Sequence, residues 1–316
     1  MLKYVAILCL SLLTRLSYGL ETDNYYAWGV ELTDSASEIN HFMNGKIAEL
    51  VQKSQGKNCQ QVTDSIGKLF FSRFVHDDPI SQHLLNTLND QEMHPATVDY
   101  VAKSIYRDPF RFYIPWFGLA PTIQVKQVHF GMDKLSHFAA TGKLYLDIYL
   151  RQLRQGASAE AATNAAIDYG VQEERSVYGY WASGVFSFGD LEADFQGMRY
   201  YLRFCHDSQN PYLQQSPDGS WKMRILPDIS DYISGLWDET YNLSYRIPKN
   251  WQKVARVLKE EYCSLAHDPG VVARHQHYQR SVETSYSAQY LQRLQIEQPQ
   301  RVPTPATTQS FHKLCQ

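Results

Sequence analysis

The chain has 316 residues, of which 44% are hydrophobic, 13% aromatic and 20% charged. That is apolar enough to bury a core, and it excludes a largely disordered, collagen-like or low-complexity chain. Thirty basic residues against 33 acidic ones give a net charge of −3 with no long block of one sign, which argues against a nucleic-acid binder.

The N-terminus opens with Met1-Leu2-Lys3, runs apolar from Tyr4 to Leu13, and reaches Ser17-Tyr18-Gly19. A positive start, a short apolar stretch and small residues at −3 and −1 predict a secretory signal peptide over residues 1–19, cut after Gly19. The apolar run is too short to cross ~30 Å of hydrocarbon, and Arg15 interrupts it. Cleavage as a lipoprotein at Cys9 is disfavoured by the bulky Leu8 before it. No later stretch is long enough to span a bilayer, so an exported protein, periplasmic or secreted, is expected. Cys59, Cys205, Cys263 and Cys315 remain after cleavage. An even number in an exported chain predicts two disulfides, with three pairings that sequence leaves open. None forms a C-x-x-C pair, so structural staples are expected rather than a zinc or redox site.

Ser35-Ala36-Ser37-Glu38 reads as a capping box, followed by Ile39, Phe42, Met43, Ile47, Leu50 and Val51 at helical spacing. Further helices are predicted at about 58–75 and, opened by Pro95, at about 95–106. Residues 108–128, rich in aromatic residues and proline, read as a loop over the core or lining a cleft. Helices follow at about 132–154, 158–175, 187–206 and 249–266. Pro217-Asp218-Gly219 predicts the turn of a β-hairpin between residues 212 and 224. Residues 20–295 therefore read as one mainly α, helical-bundle-like domain with a small β-hairpin, stapled by disulfides; residues 296–316, rich in Pro, Gln and Thr, read as an irregular tail.

The chemistry concentrates in three segments between residues 129 and 197. In Asp133-Lys134-Leu135-Ser136-His137-Phe138, Asp133 and His137 are i, i+4 partners on one helical face. Projected at ~100° per residue, Leu135, Phe138, Ala139, Gly142, Leu146, Tyr149 and Leu153 form one apolar stripe, and Ala140, Leu144 and Ile148 a second on the acid's side. Such a helix is expected to be buried on both faces, which sets an acid and an imidazole into the interior, where charge needs a partner or a metal. His129 lies a turn earlier, but Gly131 separates it from this helix. In Phe186-Ser187-Phe188-Gly189-Asp190-Leu191-Glu192-Ala193-Asp194, Ser187 and Asp190 resemble a capping box, and Asp190 and Asp194 are again i, i+4. Gly197, on nearly the same face, leaves room for another helix. The third segment, Gly170-Val171-Gln172-Glu173-Glu174, ends an Ala-rich helix suited to close packing. Two helices that each offer i, i+4 ligands, plus a glutamate from a third, are how bundles build carboxylate-rich metal sites. Asp133, His137, Asp190 and Asp194 are the candidate metal ligands, and Glu174 with His137 the candidate catalytic pair. One imidazole among carboxylates suits a divalent Mn, Mg, Ca or Fe ion better than a closed structural Zn site. The same residues also suit a buried salt-bridge network.

The order Asp133-Lys134-x-x-His137-Phe138, then Glu174, then Phe186-Ser187-x-x-Asp190-Leu191-x-x-Asp194-x-x-Gly197 resembles the YfiM-type lipoprotein family, and more distantly the VanZ-like membrane proteins. The resemblance covers about 65 residues of the 316. It implies that Asp133, His137, Glu174, Asp190 and Asp194 form one polar site in a cell-envelope protein. Glu173 stands where a lysine is common, and the multiple membrane spans of the VanZ-like proteins have no counterpart here.

Outside these segments, His275-Gln276-His277 reads as a solvated pair, and Asp228, Asp231, Asp238 and Glu239 around Trp237 as a solvated acidic face. No G-x-S-x-G or H-E-x-x-H motif occurs.

Three functions compete. A metal-dependent hydrolase of an envelope lipid or glycan would use the metal to activate water, with Glu174 as base. A non-catalytic envelope protein would use the same cluster as a structural ion or hydrogen-bond centre. A ligand-binding module would use the aromatic loop. An open coordination position beside a cleft favours the first reading, a saturated network the second, and an apolar groove remote from the acids the third.

Overall fold

Helices carry most of the interior, and several begin at a side-chain cap that the local sequence supplies. The computed structural model describes residues 21–71, 78–94, 100–107, 119–176, 179–180, 184–207, 209–305 and 314–315. The expected signal peptide, the start of the helix predicted from Pro95 and the aromatic segment 108–118 lie outside these residues.

Helix α1 (Ala36–Gln52) buries Ile39, Met43, Ile47 and Val51, the predicted stripe. Its capping box does not close. Asp34 Oδ1 instead accepts from Ala36 N (2.8 Å), Ser35 Oγ donates to Glu92 O (3.4 Å), and Glu38 turns to His83 (2.6 Å). In α2 (Cys59–Phe70) Asn58 and Gln61 do form a capping box. Helix α3 (Pro79–Thr87), too short to show in apolar spacing, is started by Asp78, which accepts from Ile80 N and Ser81 N ahead of a proline in the first turn.

A three-stranded antiparallel sheet follows: β1 (Met93–His94), β2 (Thr122–Val125) and β3 (Val128–Gly131), in that order. Residues 122–128 are thus strand and turn rather than the loop predicted. β2 and β3 are four residues long, β1 only two, and together they are mostly buried, so neither alternation nor length marks them. Lys126 makes the turn with φ 53°, and its N–H is held by Asp34 Oδ2 at 2.8 Å. Between β1 and β2 the described residues include the short helix α4 (Tyr100–Lys103).

The predicted helix 132–154 is three pieces in line: α5 (Asp133–Ser136), a π-helical turn (His137–Thr141) and α6 (Gly142–Arg154). The π turn rotates everything after it relative to a regular helix. Leu144, expected on a buried face, is therefore 38% exposed. Tyr201 donates its hydroxyl to Ala139 O (2.8 Å), a bond to the carbonyls of this turn. Helix α7 (Ala159–Arg175) starts at the Ser158 cap and buries Ala162 and Ala166. Helix α8 (Phe188–Cys205) is buried along almost its whole length and packs on α6, α7 and the π turn.

That crossing depends on two glycines. A Cβ on Gly197 would lie 2.0 Å from Phe138 O, and one on Gly142 would lie 2.5 Å from Gly197 Cα. Both obstacles are backbone, which cannot step aside as a side chain can.

Strands β4 (Val185–Phe186), β5 (Leu213–Gln215) and β6 (Trp221–Met223) precede β7 (Tyr245–Arg246), which pairs with β4. The β5–β6 pair is the predicted hairpin, turned at Pro217-Asp218-Gly219. Helix α9 (Pro248–Val257) continues through a π turn, Leu258–Tyr262. Two helices that the sequence does not announce, α10 (Pro269–Thr284) and α11 (Tyr286–Glu297), close the fold. Cys59 bonds to Cys205, tying α2 to α8, and Cys263 bonds to Cys315, pinning the end of the tail. No described helix is long and apolar enough to cross a membrane.

The crossing sets an expected outcome. Gly197→Ala should lose roughly 1–3 kcal/mol or more of stability in urea unfolding with the disulfides intact. Gly45→Ala, in the exposed face of α1 with nothing within 4 Å of its Cβ, should gain about 0.5–1 kcal/mol. Equal effects in the two variants would refute the close approach.

Candidate functional site

Helix α5 brings a lysine, not an empty coordination position, to the middle of the acids. Lys134 Nζ lies 2.8 Å from Asp133 Oδ2, 2.7 Å from Asp190 Oδ1 and 2.8 Å from Glu239 Oε1. Its side chain is 1% exposed, so this is a fully desolvated ammonium held by three carboxylates. Thr22 Oγ1 donates to the other oxygen of Asp133 at 2.7 Å, and Ser187 Oγ donates to Glu239 Oε1 at 2.6 Å.

One turn on, the His137 ring is clamped between two acids of α8. Nδ1 is 3.1 Å from Asp194 Oδ1 and Nε2 is 3.4 Å from Asp190 Oδ2. An imidazole with a carboxylate at each nitrogen is held as the cation, since only that form donates twice. Burial acts to lower its pKa, but Asp190 and Asp194 outweigh burial and raise it to about 10. Asp190 works the other way. Burial raises its carboxyl, yet His137 and Lys134 pull it below the ordinary range, so it is the anion both cations share. Burial lifts Asp194 to about 6 against the pull of His137, and lifts Asp133 against Lys134.

Glu174 enters from the end of α7. Its Oε2 accepts from Ser187 N at 2.9 Å. The capping box expected from Ser187 and Asp190 is therefore shared: Ser187 Oγ accepts from Asp190 N (3.1 Å), but Glu174, not Asp190, takes the Ser187 N–H. This frees the Asp190 carboxylate to face Lys134 and His137. Burial, reinforced by Asp190, pushes the Glu174 carboxyl well above its usual range.

All five sequence-predicted residues, Asp133, His137, Glu174, Asp190 and Asp194, thus converge. His129 does not join them: it sits in β3 with Nε2 on Gln124 Oε1 at 2.8 Å. Four members, Thr22, Ser187, Lys134 and Glu239, are not picked out from sequence. Thr22 and Ser187 carry no signal as donors, whereas Lys134 does, because a helix predicted to be buried on both faces buries it too. Glu239, expected on a solvated face, is 2% exposed, and Asp238 beside it 1%. No regular helix forms there, only a 3₁₀ turn at Gly235–Trp237 that directs both acids inward. His275, expected to be solvated, is half-buried in α10 and bonds to Thr240 Oγ1 at 3.1 Å, while His277 is exposed.

The donor set fits a divalent metal poorly. The oxygens that converge do so on an ammonium, and both imidazole nitrogens face carboxylates. Among the described residues no three of His, Cys, Asp or Glu are arranged to hold a metal ion.

Comparison with known proteins adds no relative. No protein-family model matches the chain, and neither a curated protein nor a solved structure is significantly similar to it.

Two outcomes follow from the charges. Lys134→Met removes the one cation that three buried carboxylates share, and should cost about 3–5 kcal/mol at neutral pH. Unfolding midpoints should show part of that loss restored on acidification, as the orphaned acids take up protons. The His137 contribution has the opposite pH sense from an ordinary salt-bridged acid. With its folded pKa raised to about 10 from an ordinary 6.5, it is fully present below 6.5 and lost as pH rises through 10. Stability should therefore fall between pH 7 and pH 10, and His137→Gln should flatten that decline; an unchanged slope would contradict the doubly clamped imidazolium.

Proposed function

We propose that this chain is an exported cell-envelope protein whose Lys134-centred cluster is a structural charge centre, without metal and without catalysis. The observation that carries this reading is the ammonium at the centre of the cluster, in the place a metal would take. The Lys134 ammonium is in contact with three carboxylates, and hydroxyls or a backbone N–H occupy oxygens of Asp133, Glu239 and Glu174. Such a centre joins parts of the chain that are remote in sequence: the segment at Thr22, α5 with its π turn, the end of α7, the start of α8 and the loop at Glu239. Two disulfides support an oxidising compartment, as the expected signal peptide does.

A second reading is favoured by one feature. His137 and Asp190 are 19% and 14% exposed, against 1–4% for Lys134, Asp133, Glu239 and Asp194. That edge is where an envelope lipid or glycan would meet an acid–base pair, and the metal-dependent hydrolase expected from sequence would also have to work there.

Metal content of the exported, disulfide-intact protein separates the readings. Mass spectrometry should find no stoichiometric Mn, Mg, Ca, Fe or Zn after exposure to each. Stoichiometric metal that is lost in folded His137→Ala and Asp194→Ala would replace the structural reading with the metallohydrolase. Hydrolysis of envelope lipids or glycans by the metal-free protein, abolished in a folded Asp190→Asn, would replace it with the acid–base reading.

A further inference from the structure

Away from the Lys134 centre, α10 carries Arg274, two of whose N–H groups lack an acceptor among the described residues. The Nε and Nη2 atoms of Arg274 are each buried without a hydrogen-bond acceptor. These two N–H groups point to the same side of the guanidinium, the fork that grips a carboxylate or phosphate by two oxygens at once. The side chain as a whole is only half-buried, so the fork lies just beneath the surface.

The helix face that carries Arg274 is placed by Tyr278, one turn further along α10 on the same side. Its hydroxyl accepts from His129 N (3.0 Å) and donates to Gln127 O (3.1 Å), so this face of α10 lies against β3. On the sheet, His94 stands opposite Thr122 and Gln124 opposite His129. Cross-strand partners and residues two apart share a face, so these four side chains project from one side. His129 is 2% exposed; its Nε2 is bonded to Gln124, and its Nδ1 is buried without a partner, as is Thr122 Oγ1. Burial lowers the His129 pKa, and Arg274 and His94 are the charged neighbours that add to it, taking it to about 3. Asp238, which also acts on Tyr278, already accepts from Thr240 N and Oγ1 and from Asn24 Nδ2. Arg274 and two imidazoles therefore gather here, and among the described residues no acid is bonded to the fork. A charged donor buried without an acceptor is a costly defect that native proteins retain where a ligand, ion or water answers it.

We propose that Arg274, with His129 and His94 beside it, binds a small oxyanion, the carboxylate or phosphate group of a ligand. The anion takes both N–H bonds of the fork, and a further oxygen accepts from His129 Nδ1 once that nitrogen carries a proton. Binding thus restores the proton that burial and the neighbouring cations remove from His129.

The test uses the full-length, disulfide-intact protein, titrated with inorganic phosphate and separately with acetate at constant ionic strength. The imidazole resonances of His129 and His94 are followed by ¹H–¹⁵N NMR. Saturable movement of both rings is expected with at least one anion, and the stronger response identifies the ligand group as tetrahedral or planar. Arg274→Gln should weaken that response about tenfold or more. Rings that do not move with either anion overturn the proposal, as does a variant that responds like the wild type. Should the variant fail to fold, the wild-type titration decides alone.

Discussion

The ammonium of Lys134 is the group on which the arrangement around it depends. Asp133, Asp190 and Glu239 would repel one another at the distances the fold imposes, and a desolvated carboxylate trio without a cation has no stable ionised form. With the lysine present, three chain segments can be drawn to one point. The neighbouring sequence gives the lysine that room. A Cβ on Gly131 would collide with both Asp133 Oδ1 and Thr22 Oγ1, at 2.1 and 2.2 Å, so the bond between those two requires a glycine there. The π turn after Ser136 begins at His137 itself, where a regular helix would direct the following residues differently. Charge, small residues and helix register all serve the same contact.

An apolar core of similar volume is often as stable as a buried ion cluster, or more so. What the cluster adds is specificity. An apolar side chain tolerates many neighbours, whereas an ammonium between three carboxylates admits one arrangement of Thr22, α5, α8 and Glu239. Ser187 shows the same economy: its hydroxyl caps α8 through Asp190 N and donates to Glu239, while its N–H holds Glu174. A substitution at that residue would disturb three elements at once. The cluster thus fixes Thr22, α5, α8 and Glu239 in one register beside an apolar core of aliphatic and aromatic side chains.

Much of this was legible in sequence, and the remainder failed for identifiable reasons. Most of the long helices and the pairing of Asp133 with His137 and of Asp190 with Asp194 on shared faces follow from i, i+4 spacing, because helical periodicity survives burial, and the hairpin follows from Pro217-Asp218-Gly219. The helices α3, α10 and α11 escaped notice: α3 is short, and in α10 and α11 polar residues dominate the exposed turns. The β2–β3 pair escaped because its residues are buried on both faces, which removes alternation. Glu239 was misplaced because an acidic run beside an aromatic residue reads as a solvated face unless a distant cation is known. Nothing in the local sequence of residues 238–239 points to Lys134, more than a hundred residues away.

Lys134 itself was visible but was read only as a letter in a motif. A helix buried on both faces buries every residue in its first turn, including a lysine. A buried ammonium demands anions, and its own helix and the start of α8 each supply one. The same acids that make a metal site plausible from spacing then have a prior claimant, and the claim is stronger because the lysine is covalently part of the site. For carboxylate clusters at helical spacing, the deciding question is whether a lysine or arginine lies within the same turn. Where one does, the pattern that predicts a metal centre equally predicts its replacement by an ammonium, and the chemistry passes from Lewis acidity to fixed charge.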